Sequence, residues 1–129
     1  VSRGRPGEPD ERGAGTVLLL AVAAVVVLLA LAIAALGAAQ RARGVAQSAA
    51  DLGALAAATA LRHGVDPCAT AAAGVERNAA ELAACEVEPG GVVRVTTACA
   101  VAGPESWVGA LLGEASAAAR AGPATVRTG

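Results

Sequence analysis

From Val17 to Leu36 the chain reads VLLLAVAAVVVLLALAIAAL, and no charged residue occurs between Arg12 and Arg41. An α-helix rises 1.5 Å per residue, so about 20 apolar residues cross the roughly 30 Å hydrocarbon core of a bilayer. A soluble fold would have to bury such a helix on every side. With 129 residues in all, the part beyond Gln40 is too short to surround that helix and still pack a core of its own. The run therefore predicts a transmembrane helix, placed over residues 14–39. A cleaved secretory signal is the rival reading, and Ala35-Leu36-Gly37 offers a small-residue site. Signal apolar regions are usually about 7–15 residues, however, and this run is longer.

Composition narrows the remainder. Hydrophobic residues make up 55% of the chain and aromatics 1%, with one Trp and no Phe or Tyr. Alanine is the commonest residue and Lys is absent, so Arg carries all the positive side-chain charge. A net charge of −1 gives no basic footprint for nucleic acid. Arg3, Arg5 and Arg12 precede the run, whereas Arg41 and Arg43 follow it. Positive residues favour the cytoplasmic side, and Cys68, Cys85 and Cys99 all lie after the run, where disulfides would call for an oxidising compartment. Both point to a single-pass protein in the cell membrane, N-terminus cytoplasmic and C-terminal domain extracytoplasmic. Residues 1–13, rich in Gly, Pro and charge, read as a disordered cytoplasmic leader. The opening Val1 in a chain without Met fits a literally rendered GTG start or a fragment.

Past the run, residues 40–63 contain no Pro and many strong helix formers, which predicts an exported continuation of the same helix. At 100° per residue, Gln40, Arg41, Arg43, Gln47, Ser48, Asp51 and Arg62 share an arc of roughly 160°. The opposite side presents Ala42, Val45, Ala46, Ala49, Leu52, Gly53 and Ala56. Small residues let backbones approach closely, so this side reads as a packing face for other helices.

Residues 64–129 are expected to form a small exported α+β domain. Asp66 can cap a second helix that starts at Pro67, a residue suited to the first helical position. Ala72, Val75, Ala79 and Leu82 continue at helical spacing, with Asn78 able to end the helix sooner through a left-handed turn. From Cys85 the period changes to two. Cys85 and Val87 alternate with Glu86 and Glu88, Pro89-Gly90-Gly91 makes a turn, and Val93, Val95 and Thr97 alternate with Arg94 and Thr96, as in an antiparallel β-hairpin with one buried face. Glu105 to Leu112 fits a short helix carrying Trp107. Ala115 to Ala121 has helical composition, yet Glu114, Ser116 and Arg120 fall on one face of a strand. This hairpin register puts Cys85 opposite Val95 and Cys99 about 13 Å further along, too far for a Cys85–Cys99 bond.

Two strings carry a resemblance. Glu11-Arg12-Gly13-Ala14-Gly15-Thr16-Val17 leads into the run, and Gln47-Ser48-Ala49-Ala50-Asp51-Leu52-Gly53-Ala54-Leu55-Ala56-Ala57-Ala58 follows it. Together they resemble the TadE/TadG-like proteins of tight-adherence (Flp) pilus and secretion systems, and most nearly the short actinobacterial TadE-like proteins of helicase and secretion gene neighbourhoods. The resemblance implies a pilin-like fold, a return of the chain's end to the sheet as a third strand, and a disulfide between Cys68 and Cys85. Cys99 is then either buried and inert or open to another subunit. It also implies partners: the lipid bilayer, other pilin-like subunits and platform proteins. Gly13-Ala14 would be the processing junction. Pilin-type precursors carry Glu at the fifth position after the cleavage site, where Leu18 stands here, which favours a retained accessory component.

No constellation for catalysis is present, and neither a cofactor nor a small-molecule substrate is expected. The single His63 lies in a helix-ending turn. Together with Cys68, Cys85 and Cys99 it lacks the paired ligand spacing of structural zinc sites. Glu86 and Glu88 read as a solvated rim, and Glu76 and Glu81 as charges on a helix surface. A membrane-tethered exported binding domain outside any filament is the competing function.

Overall fold

The computed structural model describes residues 8–101, 111 and 113–124. In order, the elements are helix α1 (Glu8–Arg62), helix α2 (Pro67–Arg77) and strands β1 (Glu81–Glu88), β2 (Val92–Ala100) and β3 (Glu114–Ala121). The chain is α+β and divides into two units, Val1–Leu36 and Gly37–Gly129.

In the first unit the helix begins at Glu8, inside the segment expected to be a disordered leader. Pro is tolerated in a first turn and acidic residues suit a helix N-terminus, so this stretch of sequence is no obstacle to an early start. Along Val17–Leu36 the Val, Leu and Ile side chains are exposed, from Val22 at 54% to Leu19 at 72%. Consecutive positions point in different directions on a helix, so the apolar surface runs all the way round. Among the described residues this is the one helix long and apolar enough to cross a membrane.

The second unit packs the rest of α1, α2 and the sheet around a core of small side chains. The sheet is antiparallel in the order β1-β2-β3. Val93, Val95 and Thr97 alternate as the fully buried positions of β2, and Val93 and Val95 share a core cluster with Val75 of α2. Ala49, Ala54 and Ala57 of α1, Ala71 of α2 and Ala80 just before β1 complete the main cluster. Alanine and glycine allow this because they keep the backbones close: a Cβ added to Gly74 would lie 3.8 Å from the Cα of Gly53.

Local chemistry explains the element ends. The Asp66 carboxylate accepts from the backbone N–H groups of Cys68 and Ala69 at 3.0 and 3.3 Å, satisfying donors that the first turn leaves free. Asn78 ends α2 at a φ of −102°; the left-handed residue is Ala79, at φ +57°. Gly90 and Gly91, both at positive φ, make the turn between β1 and β2, where glycine alone carries no Cβ penalty.

Strand β1 starts at Glu81, four residues before the hairpin expected from alternation. A bulge between Leu82 and Ala84 inserts an extra residue, so Leu82 and Cys85 both turn toward the core while Ala83 and Ala84 stay exposed. Their spacing of three imitates a helix and hides the strand. Glu81, read as a helix-surface charge, is therefore the first residue of β1. Trp107 and the short helix expected around it fall outside the described residues, apart from Leu111, which is helical and exposed.

Candidate functional site

The residues singled out from sequence gather on α1 beyond Gly37 and at the junction of α2 with the sheet. Ala42, Ala46, Ala49 and Gly53 are buried, Val45 and Ala56 are half-buried, and Leu52 is 50% exposed. What covers this face is the chain's own α2 and sheet. A Cβ on Gly53 would lie 2.8 Å from Val75 Cγ2 and 3.4 Å from Val95 Cγ1. The hydroxyl of Thr97 donates to the carbonyl oxygen of Ala46 at 2.7 Å. Further along α1, Ala42 packs with Val101 and Ala115 in a smaller cluster edged by Ala38 and Cys99. The alanine side of α1 is thus an intramolecular seam. Leu52 and Leu55, at 50% and 59% exposure, lie outside it.

Cys68 and Cys85 form a disulfide, with Cα atoms 5.7 Å apart and a sequence separation of 17. The bond fastens the first turn of α2 to the middle of β1. In register, Cys85 faces Val95 and Cys99 faces Ala115, so the spacing that separates Cys85 from Cys99 is the one alternation predicts. Cys99 is a half-buried free thiol whose Sγ lies 3.6 Å from the carbonyl oxygens of both Ala79 and Ala100.

Comparison with protein-family models, with curated proteins and with solved structures finds no match.

The charged residues of the sheet occupy the opposite face. Arg94 and Arg120 stand directly across from each other on β2 and β3, a repulsive placement for like charges. Glu88 offsets it, with one carboxylate oxygen 3.0 Å from Arg94 Nε and 3.3 Å from Arg120 Nη2. The Arg94 contact has ion-pair distance without hydrogen-bond geometry, since Nε makes no hydrogen bond. Arg120 is exposed, so solvent screens its pairing, whereas Glu88 and Arg94 are half-buried. Among the described residues no three of His, Cys, Asp and Glu converge as metal ligands. Cys68 and Cys85 are held as a disulfide and offer no thiolates. His63 lies exposed in the turn after α1, with its backbone N–H donating to Ala60. Gly13 and Ala14, the expected processing junction, are exposed helical residues of α1.

Proposed function

We propose that this chain is a single-pass, pilin-like accessory component of a tight-adherence (Flp-type) pilus or related secretion system. Its N-terminus is cytoplasmic and its disulfide-bonded unit extracytoplasmic. The observation that carries this reading is the contrast along one helix. The large apolar side chains of Val17–Leu36 are bare on every side, while Ala46, Ala49 and Ala57 of the same helix are fully buried in an α+β unit. Bare valine and leucine in that number would make a soluble monomer aggregate; in a bilayer they are at their most stable. The disulfide and the excess of Arg before the run support export of the second unit. The strings around Gly13 and Gln47–Ala58, with the apolar helix between them, support the TadE/TadG-like assignment.

Its mechanism would be assembly rather than catalysis. The helix holds the protein in lipid, and the compact second unit presents Leu52, Leu55 and the polar arc of α1 to neighbouring subunits. A photo-crosslinker installed at Leu52 or Leu55, exposed positions that leave the core intact, tests this in cells. Capture of pilin subunits or platform proteins is the expected result. Capture confined to unrelated envelope components would instead favour a tethered binding domain outside the filament.

A further inference from the structure

Both outer strands of the sheet have an edge with no strand beyond it among the described residues. The edge of β3 is the smoother one. Its register against β2 runs from Val93 opposite Ala121 to Ala100 opposite Glu114 without a shift. It contains no Pro, and between Glu114 and Arg120 it carries only Ala and Ser. Bulges, Pro, Lys and inward charges are what keep an edge from taking up another strand, and β3 has none of these. The edge of β1 has its bulge between Leu82 and Ala84 and is regular from there to Glu88. We infer that copies of this chain join side by side, the outer edge of β3 in one pairing with Ala84–Glu88 of β1 in the next. The association concerns the second unit alone and does not depend on the membrane reading.

The two edges match in charge and in apolar surface. Cross-strand pairing places Glu86, Arg94 and Arg120 in one row of the sheet, and Val87, Val93 and Ala121 in the next. A copy shifted sideways without a change of orientation therefore brings its Glu86 beside Arg120 and its Val87 beside Ala121. Glu86 makes no ion pair among the described residues, since Glu88 is the acid that Arg94 and Arg120 share. Arg120 meets Glu88 through Nη2, and a guanidinium has further N–H donors for a second carboxylate. Val87 lies on the core side of β1 yet is 50% exposed, and the neighbouring strand covers it. Because β1 and β3 both run antiparallel to β2, the new pair is parallel. Its backbone hydrogen bonds supply strength and its side chains specificity. Pairing β3 with β3 of a second copy would also set Glu114 against Arg120, but it leaves Val87 bare and Glu86 without a cation. Each copy keeps both edges, so the association is head-to-tail and open.

The test uses the full chain in detergent micelles, with a short diazirine amino acid in place of Ala118, mixed with isotopically heavy chain that lacks the diazirine. Ala118 is exposed and shares its row with Thr96 and Ala84. After photolysis, only crosslinks joining light to heavy peptides are counted by mass spectrometry. The expected capture falls on Ala83–Cys85 of the heavy chain. Arg120→Glu in the light chain should lower it about fivefold, because an attraction is lost and a repulsion gained. Glu86→Arg in the heavy chain should then restore it. An intact Cys68–Cys85 bond in each variant verifies its fold. Capture on Ser116–Ala118 of the heavy chain would mean that β3 pairs with itself, and overturns the choice of β1. Capture on β1 that Arg120→Glu leaves unchanged overturns the role given to Arg120 and Glu86. No light-to-heavy capture, or capture spread along the heavy chain, overturns the association itself.

Discussion

Thr97 in the central strand donates its hydroxyl proton to the carbonyl oxygen of Ala46 across 2.7 Å, linking residues 51 positions apart. Thr97 is wholly buried, and its oxygen lies a longer 3.4 Å from the carbonyl of Ala117, so its one proton belongs to Ala46. This bond fixes the sheet at one position along α1. It is the sole polar tie among apolar side chains in the described core.

Replacing Thr97 with Val tests that tie with little change of shape. The Ala46 carbonyl keeps its helical N–H partner, so no acceptor is stranded, and the loss should be about 1 kcal/mol. Thr97→Ala should cost more, because it also empties space in a packed core. Thermal melts of the full chain in detergent would measure both.

Gly53 is required by its neighbours. An added methyl would sit 2.8 Å from Val75 Cγ2, and a buried β-branched side chain has few rotamers to escape into. Gly53→Ala should destabilise by roughly 1–3 kcal/mol, and Val75→Ala in the same chain should recover part of the loss by vacating the clash. Gly44 has nothing within 4 Å of its would-be Cβ. Gly44→Ala should therefore stabilise by up to about 1 kcal/mol, the difference in helix propensity. Opposite signs for the two glycines in one melting experiment are the expected outcome.

How much of this was legible in the sequence depends on what a residue advertises. Asp66-Pro67 and Pro89-Gly90-Gly91 name their own backbone conformations, and the register of Cys85 against Val95 follows from counting outward from that turn. The start of β1 was hidden because the bulge after Leu82 replaces alternation by a spacing of three. Ala46, Ala49 and Gly53 announced close packing but not the partner: a small side chain fits a helix or a sheet equally well, and here α2 and the sheet of the same chain cover them. The Thr97–Ala46 bond left no sequence signal, since a threonine alternating with valines is ordinary strand composition.

Ala79 is held at φ +57° immediately after α2, where a Cβ crowds the following carbonyl. Ala79→Gly should stabilise by roughly 0.5–1 kcal/mol, the relief of that crowding less the extra freedom of glycine when unfolded. A rise in melting temperature checks it.

The Cys68–Cys85 bridge closes a 17-residue separation, and cross-links of that length contribute about 3 kcal/mol by restricting the unfolded chain. The core it supports is made of alanine and valine. Reduction, or Cys68→Ser with Cys85→Ser, should therefore lower the melting midpoint sharply, whereas Cys99→Ser should change it little. Non-reducing mass analysis of the full chain should find one bridge and one free thiol, at Cys99.

Alkaline carbonate extraction followed by protease treatment of intact spheroplasts tests the membrane anchor and its orientation together. The chain should remain in the membrane pellet, with the unit beyond Gly37 digested from outside and an N-terminal fragment bearing the apolar run protected. Release of the chain into the carbonate supernatant, or protection of the disulfide-bonded unit until the membrane is broken, would contradict a single-pass anchor with an exported C-terminal unit.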